Sequence, residues 1–186
     1  MLQVVARGLR DRLRYDTAAD HDRLDARFSQ LDLQVRADFP VFLAAHFMAF
    51  STLRRLGMQG RLVRQDDLAR FEQALGRDLN VFGHNAHPTL TMDAPCDPIA
   101  LDHIVLGSRL GTAVLRKRWQ GSSDAMVLRA GAYFGLPQDA HLWRQHCAAM
   151  AERDETGADA DRAVADTRRL FGLFETALSR AEQAQP

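Results

Sequence analysis

The sequence predicts an all-α protein built as one helical bundle. Three observations carry this. Apolar residues recur at steps of three and four along nearly the whole chain, no stretch alternates cleanly as a half-buried strand does, and glycine, proline and small polar residues gather where the period lapses. A length of 186 residues suits a single domain over 1–186 with a sizeable core. No long linker, repeat or low-complexity tract divides it.

Leu9, Leu13, Thr17, His21, Leu24, Phe28 and Leu31 follow one another at helical steps and so share one face of a first helix. Asp38-Phe39-Pro40 opens a second. Asp38 lies near an N-cap and Pro40 falls in the first turn, where its missing N–H costs nothing. Phe39, Phe42, Phe47, Phe50 and Leu53 supply its buried side, and Gly57 ends it. A third helix, about 66–79, carries Leu68, Phe71, Leu75 and Leu79. The stretch GHNAHPTLTMDAPCDP (83–98) has three prolines and no period, and reads as a surface loop. Asp97-Pro98 restarts a helix that runs to about Trp119. Residues 120–137, rich in Gly, Ser and Ala, read as irregular. Two more helices follow, near 138–153 and 159–182, split by the polar turn Arg153-Asp154-Glu155-Thr156-Gly157.

Composition narrows the function. Lys and Arg number 24 and so do Asp and Glu, which leaves no global field to attract a polyanion or an anionic membrane, so no nucleic-acid partner is expected. No apolar run approaches the roughly 20 residues of a membrane-spanning helix, so membrane insertion is not expected. The start, MLQVVARGLRDRLRYD, has arginines within its apolar pattern and not before it, unlike a signal peptide. Cys96 and Cys147 stand far apart and in no CxxC motif. Such a pair neither staples a fold nor builds a zinc site, and a reducing cytoplasm is its simplest setting.

Two features point to chemistry. His21 lies on the apolar stripe of its helix. By spacing alone it is either a satisfied core histidine or an iron ligand, since neutral imidazole is a common proximal ligand of heme. Arg14 lies seven residues upstream, two turns away on nearly the same face, where a cation could meet an anionic group of a ligand held by His21. An ordinary solvated arginine is the alternative. The second feature is Gly107-Ser108-Arg109-Leu110-Gly111-Thr112 within a helical segment. Each interior glycine costs about 1 kcal/mol relative to alanine. Two of them four residues apart leave one face bare, either for close packing of another helix or for the approach of a flat ligand. Such a helix can also kink and shape a pocket.

These strings resemble the heme oxygenase family of bacteria. LRYDTAADHDRLD (13–25) is similar to its pattern of Leu-Arg, Thr, His, then Leu and an acidic residue. GSRLGTAVL (107–115) is similar to its distal-helix motif, Gly-Ser-x-Leu-Gly-Gly. YFG (133–135), LWRQ (142–145) and LFGLFETAL (170–178) fall in the family's order, so the likeness covers most of the chain. The resemblance implies a helical bundle with heme between a proximal and a kinked distal helix. It implies an oxygenase for which heme is both cofactor and substrate, opened with O₂ and external electrons to biliverdin, CO and ferrous iron. His21 would be the proximal ligand, and Gly107, Ser108 and Gly111 the catalytic distal segment. Arg14 and Arg144 match positions that bind propionates. His103 lies near a tyrosine position that helps hold one. Thr112 stands where the motif's last glycine is usual and would narrow the distal face. Leu106 stands where glutamate is common. Implied partners are a ferredoxin or flavin reductase as electron donor and a bacterial phytochrome as receiver of biliverdin. Thr112, Leu106 and His103 motivate a rival, a catalytically impaired heme- or bilin-binding protein of the same fold. In a third reading His21 is a core residue and the bundle serves only interactions.

Other features carry less. His84 and His87 form His-x-x-His in a proline-bearing loop without nearby Cys or carboxylate partners. There is no Glu-x-x-His, which argues against a di-iron carboxylate bundle. Arg116-Lys117-Arg118 suits the negative end of its helix, or docks an acidic electron donor. His46, among phenylalanines, is core or pocket lining, and Cys147 a small buried hydrophobe.

Overall fold

A computed structural model describes residues 8–84, 90–138 and 140–184. Among the described residues there are nine helices and no strand. The expected first helix is two, α1 (Leu9–Asp16) and α2 (Ala18–Phe28). Between them Thr17 departs from helical geometry at φ −111°, ψ 5°. Its buried hydroxyl donates to the carbonyl of Leu13 at 2.7 Å, a back-bond that bends helices. The bend does not break the row of hydrogen bonds on that face. The Thr17 amide still donates to Leu13 O (3.1 Å) and the His21 amide to Thr17 O (3.0 Å). Regular spacing cannot reveal such a bend, because it leaves the period intact.

Helix α3 (Phe39–Arg55) is apolar nearly all round and buried along most of its length, as a central helix must be. Asp38 precedes it without capping it, and its carboxylate instead accepts from the Asp32 amide at 2.8 Å. Gly57 takes φ 65°, the left-handed position that ends helices and favours glycine. Helix α4 (Gln65–Val81) packs on α3. Helix α5 (Pro98–Gln120) begins where Asp97 Oδ1 accepts the Ile99 amide at 2.8 Å.

The 120–137 stretch is less irregular than its composition suggests. It holds two short helices, α6 (Ala125–Arg129) and α7 (Ala132–Gly135). Their organisers are remote in sequence or invisible in the pattern. The Asp78 carboxylate of α4 accepts from the amides of Ala132 (2.7 Å) and Tyr133 (2.8 Å), fixing the start of α7. The Trp119 indole lies 2.6 Å from where a Cβ on Gly131 would stand, so only glycine fits there. Helices α8 (Ala140–Ala151) and α9 (Ala158–Gln183) complete the chain. Helix α9 packs against α1, α2, α3 and α5 at once.

The principal core joins α3, α4, α5, α7 and α9, with Phe39, Phe42, Phe50, Tyr133, Phe134 and Phe174 at its centre. A smaller cluster of Leu9, Leu13, Ile99, Met150 and Ala163 ties α1 to α8 and α9, and half-buried Cys147 packs on it. Two buried polar groups are part of this frame. Asp102, fully buried, accepts from the backbone amides of Arg61, Leu62 and Val63, and so pins the α3–α4 connection to α5. His46 is a core residue. Its Nδ1 lies 2.8 Å from Phe42 O, and its ring packs against Phe28, Phe42 and Phe174. No helix among the described residues is long and apolar enough to cross a membrane.

Replacing Asp102 with alanine would leave three amides without their acceptor, and a loss of about 3 kcal/mol in urea denaturation is expected. Burial holds His46 near a pKa of about 4, below its ordinary 6.5, despite the opposing bond to Phe42 O. The native state thus refuses a proton that the unfolded chain accepts. The stability this contributes is complete above pH 6.5 and lost as pH falls toward 4. His46→Leu should flatten that acid limb when stability is measured across the same window.

Candidate functional site

Helices α2 and α5 both pack on α9 but make no more than marginal contact with each other. The surface of α9 left between them is a candidate groove. On its α2 side stands His21, the one exposed member of its stripe, beside Leu9, Leu13, Thr17, Leu24, Phe28 and Leu31. Its side chain is 58% exposed, which removes the alternative of a satisfied core histidine. The ring meets Phe171 of α9 edge-on, with centroids 5.8 Å apart. Asp22 and Asp25 carboxylate oxygens stand 3.6 and 3.9 Å from Nδ1. Carboxylates on that side can orient the ring, an arrangement common behind metal-binding imidazoles.

On the α5 side, His103, Gly107, Leu110, Gly111 and Val114 share one face by their spacing. His103 and His21 are electrostatic neighbours, which places that face toward the groove. Leu110 is 40% exposed and Val114 64%, an unusual apolar display for one helix face. The two glycines differ in what they admit. At Gly107 a Cβ would meet the Trp143 indole of α8 at 3.5 Å, whereas at Gly111 it would meet nothing within 4 Å. A methyl group would thus fit at either glycine, in ordinary contact with Trp143 at the first and in open space at the second.

Behind this face lies a cluster that sequence reasoning missed. His103 packs 5.4 Å from Trp143 and 5.7 Å from His146, centroid to centroid. Burial depresses both imidazoles to a pKa of about 4. His103 Nδ1 and His146 Nε2 are buried without a hydrogen-bond partner among the described residues. The one available signal was the Trp143–His146 spacing of three, which puts both on one side of α8.

The remaining candidates differ in exposure and in what they bond. Arg14, at the end of α1, and Arg144, on α8, are both exposed and in no ion pair among the described residues. Ser108 donates to Val105 O at 2.8 Å, so its hydroxyl is engaged by its own helix. Thr112 is buried, donates to Ser108 O at 3.0 Å, and lies on the core side of α5 with Leu106. Its side chain therefore does not narrow the face that carries Gly111, contrary to expectation. Arg116 and Lys117 are exposed, and Arg118 reaches Leu31 O at 3.4 Å. His84 is exposed, and His87 lies outside the described residues. No group of three or more His, Cys, Asp or Glu among the described residues is arranged to hold a metal, so an iron ligand here would act singly.

Comparison with models of known protein families and with curated protein sequences finds no significant match to this chain.

Since a methyl group at position 111 meets no neighbour, Gly111→Ala should stabilise the ligand-free protein by about 1 kcal/mol through helix propensity. Chemical denaturation checks this. A destabilised variant would mean that the open space at Gly111 is not there in solution.

Proposed function

We propose that the protein binds heme in the groove between α2 and α5 and degrades it as a heme oxygenase. The observation that supports this most is the pairing of an exposed imidazole, His21, with an exposed apolar helix face containing Gly111, held apart by α9. The resemblance of both segments to heme oxygenase motifs supports the same reading. Bound heme supplies the iron that activates O₂ and is itself the substrate, yielding biliverdin, CO and ferrous iron.

The chain's own residues have definable tasks in this proposal. His21 presents Nε2 to the iron, while Asp22 and Asp25 hold the ring from the Nδ1 side. Leu110 and Val114 cover the apolar macrocycle, and Gly111 lets the α5 backbone approach it closely. Arg14 and Arg144 offer unpaired guanidinium groups for the two propionates. No Asp, Glu or His lies between Gly107 and Gly111, and Ser108 donates to its own helix, so this segment offers no acidic side chain and protons would have to come through ordered water. The orphaned nitrogen of His103 is a polar anchor for such water. With Thr112 and Leu106 turned to the core, two of the departures that motivated an inactive protein no longer bear on the ligand face. Electrons come from an external ferredoxin or flavin reductase, for which Arg116 and Lys117 provide exposed positive charge. Biliverdin release to a bacterial phytochrome fits this chemistry. The rival reading, a heme- or bilin-binding protein without turnover, rests on His103, whose buried neutral ring lies against Trp143 at the groove wall.

Hemin added to the purified protein should give a Soret band shifted from that of free hemin, and ascorbate or a ferredoxin system in air should then yield biliverdin. No Soret shift rejects both heme readings. A stable complex that never yields biliverdin rejects the oxygenase and leaves the binding protein. His21→Ala should weaken hemin binding at least tenfold or change the ligand-field spectrum, and an unchanged spectrum refutes His21 as the ligand.

A further inference from the structure

The most anomalous charge in the molecule lies on the other side of α5 from the groove. Arg109 is 7% exposed. Its guanidinium carbon sits 4.9 Å from the centroid of Tyr133 and 5.3 Å from that of Phe71, between α7 and α4. Nη2 donates to Leu136 O at 3.1 Å, while Nε and Nη1 are buried without a partner among the described residues.

A guanidinium does not shed its proton in a protein, so burial cannot neutralise it as it neutralises a histidine or lysine. A buried charge needs an opposite charge or a full set of hydrogen bonds. Among the described residues the polypeptide supplies neither. On α4, Asp78 is spent on the amides of Ala132 and Tyr133 and forms no ion pair with Arg109. Glu72 is paired with Arg54. From α3 comes His46, held neutral at ordinary pH by its burial. From α7 comes Tyr133, whose ring face offsets part of the charge by a cation–π contact but accepts no hydrogen bond from Nε or Nη1.

We propose that Arg109 is the receptor of a small monovalent anion, chloride in the first instance, held at Nε and Nη1 beside Phe71 and Tyr133. Three features select this class. One guanidinium neutralises one negative charge, so a divalent anion would leave a net charge buried. Apolar and aromatic walls favour anions that give up their hydration readily. The tight enclosure, with all but 7% of Arg109 covered, excludes bulky organic anions. The bound anion would anchor α5 to α4 and α7, and this proposal does not depend on what occupies the groove.

Thermal unfolding of the full-length protein at constant ionic strength, with chloride exchanged for gluconate, tests it. The expected result is a midpoint that rises roughly 3–5 °C for each tenfold increase in chloride above the dissociation constant. Nitrate should substitute and sulfate should not. Arg109→Met should abolish the dependence. Should that variant fail to fold, ³⁵Cl relaxation on the native protein decides the matter, with excess broadening that nitrate competes away as the expected result. Coincident midpoints in chloride and gluconate, equal stabilisation by sulfate, or no excess broadening would each overturn the proposal.

Discussion

The placement of α9 between α2 and α5 is the constraint on which the proposed site depends. One 26-residue helix packs against four others, and its buried face is rich in alanine, at 160, 163, 177 and 181. Small side chains towards its two ends let neighbouring helices come close to α9, while Leu170, Phe171, Leu173 and Phe174 fill its middle. Helices α2 and α5 are therefore positioned by a shared neighbour and not by each other. That is how an apolar face on α5 can remain exposed without the bundle closing over it. An exposed Val114 and Leu110 cost the folded state hydrophobic stabilisation, and a ligand that covers them returns it.

The two sides of α5 then have separate duties. The side with His103, Gly107, Leu110, Gly111 and Val114 borders the groove, and the side with Leu106, Arg109 and Thr112 is buried against the core. One helix thus carries both the proposed oxygen-facing backbone and the buried cation at Arg109. Anything that moves α5 by a fraction of its diameter alters both. The Asp102 carboxylate, gripping three amides of the α3–α4 connection, and the Asp97 N-cap hold its beginning. Trp119, donating to Val127 O at 2.8 Å, holds its end.

Much of this was legible in the sequence, and for a definite reason. Helix periods, the Pro98 start, the Gly57 and Gly157 boundaries and the bare glycine face are local properties, set by residues within a turn or two. What escaped were contacts between distant segments. Thr17 bends the first helix without disturbing its period, and so one continuous stripe spans two helices. Helices α6 and α7 escaped because Asp78, 54 residues before Ala132, organises α7 from another helix. Arg109 looked like one variable letter in a glycine motif, and only packing shows that it is buried without a counter-charge among the described residues. Thr112 seemed to intrude on the ligand because the motif aligns it with a glycine, but a step of one residue rotates a side chain about 100° around the helix axis.

The central claim is that a heme-binding surface lies between His21 and the exposed face of α5. Paramagnetic broadening by ferric hemin, mapped residue by residue on the amide NMR spectrum, tests it most directly. The expected result is selective loss of the His21, Leu110, Gly111 and Val114 resonances, with those of α4 and α6 unchanged. Broadening centred elsewhere, or none at stoichiometric hemin, would contradict the account.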